Sequence, residues 1–249
     1  MTSTRIPLEG AYNFRDLGGL VGRGGRRIRA KRVFRSDRLT SLSRDDVALL
    51  ESFAIRRVFD LRSDLELAQN GAGGFAEAGD RHRHRPLVKV SLSITDARID
   101  WQKVDLQHRY LEMLHEGAPV IREILEHLAV EDAPPTVFHC TGGKDRTGVL
   151  AAVLLRALGV PDDVIVADYA ISETYLEPFV EASRSLMERE GYDPQIVLYL
   201  CGSPAERMVK MLADMDEEWG GIAGYLAWIG MKEGAAEELQ RRLLATDAA

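Results

Sequence analysis

The sequence predicts an α/β fold: a central, mainly parallel sheet flanked by helices, with a helical C-terminal part. Three observations predict it. Short strand-like runs recur at 32–34, 55–61, 87–92 and 135–140. Segments of helical periodicity separate most of them, as in crossover connections between parallel strands. After Val149 the strand patterns stop and only helical ones continue.

The elements follow in order. The first 20 residues are loop-rich, with Gly18-Gly19 as a turn. Residues 22–25 with their flanking arginines read as a hairpin tip before the strand at 32–34. Ser43 caps a helix whose first turn is acidic (Asp45, Asp46) and whose apolar face is Val47, Leu49, Leu50 and Phe53. A buried strand follows at 55–61, and 71–79 is a small, flexible stretch. Residues 87–92 alternate well enough for a third strand, and 100–115 and 119–128 fit two helices split near Gly117. The fourth strand, 135–140, leads into a buried helix, Val149 to Leu155, that starts at Asp145 or Arg146. Further helices are expected at 162–173, 175–190, 203–216, 219–229 and 232–245. Met187, Met208, Met211 and Leu212 recur at helical spacing and read as core, the alternative being a lid over the site. With no linker or repeat, 1–249 is expected to be a single domain, with an α/β core at 1–158 and a helical cap or extension at 159–249.

Composition narrows the function. The chain has 249 residues, 45% hydrophobic and 29% charged, as in an ordinary soluble globule. A net charge of −7 gives no global basis for binding nucleic acid or an anionic membrane. Two cysteines, Cys140 and Cys201, argue against a disulfide framework and for a reducing compartment. No Cys/His cluster has metal-ligand spacing, so no metal or other cofactor is expected. His82 and His84, alternating with arginines, read as a solvated strand entry. Residues 1–10 lack a signal-peptide core and no apolar run reaches membrane-spanning length, so the expected location is cytoplasmic. Oligomeric state is not legible.

The chemistry concentrates in His139-Cys140-Thr141-Gly142-Gly143-Lys144-Asp145-Arg146-Thr147-Gly148, the loop 139–148 between the fourth strand and the buried helix. The N–H groups from Thr141 to Arg146 can form an anion-binding nest, with Gly142 and Gly143 adopting angles that a side chain would obstruct. Arg146 can clamp two phosphate oxygens with its planar fork. The helix N-terminus and the guanidinium both favour the thiolate of Cys140. Thr147 is placed to donate to that sulfur, and His139 to hold the loop backbone. A nucleotide-binding P-loop needs Gly where Phe138 stands and Ser or Thr where Asp145 stands, so that reading fails.

At these residues the chain resembles the cysteine-dependent protein tyrosine phosphatases, in particular the bacterial branch with the signature His-Cys-x-x-Gly-Lys-Asp-Arg-Thr-Gly. Asn13 to Gly19, Phe34 to Asp37, Phe59 to Ser63, Asp168-Tyr169 and Gly224 to Leu226 are also typical of that branch, so the resemblance spans almost the whole chain. It implies a phosphocysteine mechanism with Cys140 as nucleophile and Arg146 as clamp. It also implies a general acid inside the signature, which maps onto Asp145. Asp60, Asp96 and Asp100 remain rivals; Asp60, beside Arg62, is alternatively half of a structural pair. Lys144 accompanies phosphoinositide activity in the family, so the implied partners are phosphorylated proteins or phosphoinositides. Some relatives are exported without a cleavable signal, which stays open here. The competing classes are a non-catalytic phosphate-binding module and a sulfur-transfer enzyme.

Overall fold

The structure is a computed structural model that describes residues 3–89, 105–189 and 201–245, together with Gly191 and Tyr199. Its strands are β1 (Thr4–Arg5), β2 (Arg15–Asp16), β3 (Val33–Ser36), β4 (Arg57–Asp60), β5 (His82–His84) and β6 (Thr136–His139). They form one sheet in the order β1-β2-β3-β6-β4-β5. The pairs β3–β6, β6–β4 and β4–β5 are parallel, and β1–β2 and β2–β3 are antiparallel. The helices are α1 (Arg44–Ser52), α2 (Asp64–Asn70), α3 (Gly74–Glu77), α4 (Leu106–Glu116), α5 (Ala118–Ala129), α6 (Asp145–Ala157), α7 (Asp162–Ala170), α8 (Ser172–Arg189), α9 (Ala205–Trp219), α10 (Ile222–Trp228) and α11 (Ala235–Leu243).

The period of two along each strand divides the core. Val33, Phe59, Phe138 and Cys140 belong to a large cluster shared with α4 to α7 and α9 to α11. Phe34, Val58 and Val137 point the other way, onto a smaller cluster with Leu50, Ile55 and Phe75. Helix α6 is buried continuously from Arg146 to Leu155, which is why its sequence is apolar all round. Met208, Met211, Leu212 and Met215 of α9 fill the large cluster, as core methionines do. Leu244 pairs with Ile28, and the Ala245 N–H donates to the Arg27 carbonyl at 2.7 Å, tying the last described residues to the hairpin.

Several expectations change. The third parallel strand is His82–His84, not 87–92: Leu87 and Val88 are buried but outside the ladder, and residues 90–92 lie outside the described residues. A charged sequence can occupy β5 because it is an edge strand, where Arg83 meets the exposed Asp80 and the partly exposed His82 reaches the buried Asp60. The loop-rich N-terminus contributes β1 and β2. Residues 64–77, read in part as flexible, hold α2 and α3. The helix expected at 100–115 is described from Leu106, and Asp96, Asp100 and the Met187 side chain lie outside the described residues.

Candidate active site

Strand β6 ends at His139, and α6 begins at Asp145, so residues 140–144 form the connection at the carboxyl ends of three parallel strands. Ligands bind at such ends in α/β sheets. The loop's carbonyls are held from outside. Thr141 O accepts from Arg38 N at 3.1 Å. Gly142 O and Gly143 O accept from Asn13 Nδ2 at 3.0 and 3.1 Å, and Gly143 O also from Arg35 Nη2 at 2.8 Å. In a trans peptide the N–H points opposite to the carbonyl, so the amides of residues 142–144 face the inner side of the loop. The signature residues Cys140, Thr141, Gly142, Gly143, Lys144, Asp145, Arg146 and Thr147 thus share one strand–loop–helix unit.

Of the two glycines, only Gly143 is sterically required. Its φ is +63°, and a Cβ there would lie 2.3 Å from the Ser36 carbonyl oxygen. Gly142 has room: a Cβ would meet only Leu176 Cδ1, at 3.8 Å. That approach also shows α8 lying over the loop.

Arg146 is held by Glu66 of α2 in a bidentate pair, Nη1 to Oε2 at 2.6 Å and Nη2 to Oε1 at 2.8 Å. Burial works against the Arg146 charge, but Cys140 and Glu66 outweigh it and hold its pKa above the usual arginine value. Burial pushes the Glu66 carboxyl up, and Arg146 and the Thr141 hydroxyl bring it well below the usual carboxylate range. Glu66 also closes a capping box, accepting from Ser63 N at 2.9 Å while its own N–H donates to Ser63 Oγ at 3.3 Å. The sequence reading missed Glu66, although the spacing Ser63-x-x-Glu66 is a helix-start signature that would have placed α2.

Asp145 is the first residue of α6, with its side chain 31% exposed. Its Oδ1 accepts from the Tyr110 hydroxyl, which in turn lies 2.7 Å from the Tyr169 hydroxyl. Burial, and then the Asp145 charge, push both phenols up, so they stay protonated. Lys144 is buried; its Nζ donates to Gly202 O at 2.9 Å and lies 3.5 Å from Asp145 Oδ1. It ties the loop to the segment before α9 and is not a freely solvated rim cation. Thr147 is fully buried, and its hydroxyl makes no hydrogen bond among the described residues.

Asp60 and Arg62 form a buried pair, Nε to Oδ1 at 2.9 Å and Nη2 to Oδ2 at 2.5 Å. Burial raises the Asp60 carboxyl, but the Arg62 guanidinium and the His82 hydrogen bond outweigh it and keep it ionised below the usual range. His139 Nε2 lies 3.9 Å from Asp60, and its Nδ1 lies 3.2 Å from Cys140 O. Burial lowers the His139 pKa. Cys201 is buried, which pushes its thiol up. No group of three His, Cys, Asp or Glu residues among the described ones could hold a metal ion. Among these residues no helix is long and apolar enough to cross a membrane.

A ring of inward amides at a helix N-terminus, closed by a buried arginine, defines a phosphate-handling α/β protein. The tyrosine phosphatase family is matched over residues 6–245, and the chain belongs to that family. It is 28% identical over 279 residues to the triple specificity protein phosphatase PtpB of Mycobacterium tuberculosis, covering 95% of this chain and 98% of that protein. It is 32% identical over 221 residues to a tyrosine-protein phosphatase of Nostoc commune, covering 83% and 71%. The protein is thus a protein-tyrosine phosphatase, a phosphoric monoester hydrolase.

Proposed function

We propose that the protein hydrolyses phosphotyrosine through a phosphocysteine intermediate formed on Cys140. The observation that carries this reading is the outward anchoring of the loop carbonyls, which turns the amides of residues 142–144 toward one anion site beside Cys140 and Arg146. The sulfur attacks phosphorus as the ester P–O bond breaks. The amides from Thr141 to Arg146 and the Arg146 fork hold the phosphoryl oxygens. Asp145 gives its proton to the leaving oxygen, and Thr147 eases departure of the sulfur. Water then attacks phosphorus, Asp145 takes its proton, and phosphate leaves with the thiolate restored. His139, Asp60 and Arg62 support the loop. Asp60 is ill-suited as the acid because Arg62 keeps it ionised.

The chemistry needs no metal or cofactor. The PtpB relative's triple specificity suggests phosphoserine, phosphothreonine and phosphoinositides as further substrates. We read 1–249 as one domain, with 159–249 as a helical cap on the core at 1–158, and the reduced cysteines as fitting the cytoplasm.

Turnover of para-nitrophenyl phosphate, abolished by Cys140→Ser, is the expected result; none in the wild type would favour a binding module. Asp145→Asn is expected to slow esters with poor leaving groups by roughly a hundredfold and to spare good ones. Equal loss on both would move the acid role elsewhere. A rate panel of phosphotyrosine peptide, phosphoserine peptide and phosphoinositide tests substrate breadth.

A further inference from the structure

The cations around the signature loop are paired off almost completely. Arg146 has Glu66, Lys144 has Asp145, and Arg62 has Asp60. Beneath the loop the balance differs. Arg15 and Arg35 are both fully buried and share one carboxylate, Asp168: Arg15 Nε donates to Oδ1 at 3.1 Å and Arg35 Nη1 to Oδ2 at 2.6 Å. That leaves one surplus positive charge. Arg15 spends its other donors on the Asp168 carbonyl, Ser172 and Asn13. Arg35 instead reaches the loop, giving Nη2 to Gly143 O at 2.8 Å, and its buried Nε makes no hydrogen bond among the described residues.

The strand register directs this charge. Arg35 pairs with Phe138, so its side chain shares the face of the sheet that carries Phe138 and Cys140. Its Nη2 would lie 3.6 Å from a Cβ at Gly148, under the first turn of α6. Burial and the neighbouring Arg15 pull the Arg35 pKa down to about 10, while Asp168 and Cys140 pull it up. Arg35 therefore stays charged at neutral pH.

Arg146 also acts on the sulfur, but its charge is matched by Glu66. His139 is kept neutral by burial, and Tyr110 and Tyr169 stay protonated. Asp37 accepts only from N–H and hydroxyl groups, and burial raises its pKa. Arg38 is half-buried, with its guanidinium 5.9 Å from the Phe179 ring.

We propose that Arg35 is a positioning residue for the nucleophile, fixing the turn at Gly143 and supplying, from beneath the loop, the positive charge that the Cys140 sulfur faces. The inference rests on the phosphocysteine reading. Its test is the pH dependence of Cys140 alkylation by iodoacetamide, in a Cys201→Ala background so that one thiol reports. Arg35→Met leaves Asp168 paired with Arg15, and Arg35→Gln keeps a hydrogen-bonding group without the charge; Arg35→Lys restores the charge. Met and Gln are expected to move the alkylation midpoint up by about one pH unit, and Lys to bring it back near the parent. An unchanged midpoint in whichever of Met or Gln keeps the parent's circular dichroism would overturn the proposal. Absence of para-nitrophenyl phosphate turnover in the parent would instead strike the phosphocysteine reading, because alkylation reports on the thiol whether or not the enzyme turns over.

Discussion

At the scale of single residues, the two adjacent glycines of the loop should behave differently. Gly143→Ala forces a side chain into a left-handed turn and against the Ser36 carbonyl. It is expected to lower kcat for para-nitrophenyl phosphate about a hundredfold by displacing the amides. Gly142→Ala meets only Leu176 and is expected to change stability by less than about 0.5 kcal/mol, with kcat near the parent. Similar losses in both variants would contradict the geometry. The signature residues were legible because their chemistry is local: a cysteine, an arginine six positions on and a helix start. Glu66 and Tyr110 were not, and Asn13 and Arg35 stood only in runs that resembled the family, because each reaches the loop from a distant segment and no spacing within 139–148 encodes that partnership.

At the scale of elements, α1 and α2 open with the same device, and only one bears on the site. Ser43 and Asp46 close a capping box on α1, with Asp46 also holding the amides of Glu9 and Gly10. Ser63 and Glu66 close another on α2, and there the acidic member is also the partner of Arg146. Ser43→Ala and Ser63→Ala should each cost about 1 kcal/mol in urea unfolding. Only Ser63→Ala should also lower kcat, because it loosens the carboxylate that aims the arginine. Equal kcat in the two variants would separate the cap from the site. Element identity was legible where periodicity was strong, as in α1, α5 and α6. It failed at β5, whose register is set by backbone pairing with β4 rather than by apolar alternation, and at the two-residue strands β1 and β2, too short to show a period.

At the scale of the whole molecule, the buried ionisable groups set the pH response. His139 is neutral when folded, so the unfolded chain binds a proton first as pH falls through about 6.5, and stability declines from there. Glu66, Asp60 and Asp168 are held below the ordinary carboxylate range, so their contribution is present above about pH 4 and is lost as pH falls further. Asp16 and Asp37, raised by burial, work the other way above about pH 4, where the folded chain takes up their protons first and part of the decline is offset. Urea unfolding free energy should therefore fall between pH 7 and 5, by up to about 1.4 kcal/mol per unit for each proton taken up, and fall further below pH 4. A profile from pH 7 to 5 that His139→Gln leaves unchanged would rule out a buried neutral His139 as its source.

The sheet order has a consequence for biogenesis. Strand β6 fills the gap between β3 and β4, yet roughly a hundred residues separate it from the first of these. On the ribosome, β3 and β4 must wait with bare edges until their shared neighbour emerges, and the nucleophile arrives with that last piece. Any stall in translation before Thr136 leaves a half-built seam, inert and prone to stick to other chains, so the enzyme's yield depends on keeping that interval short.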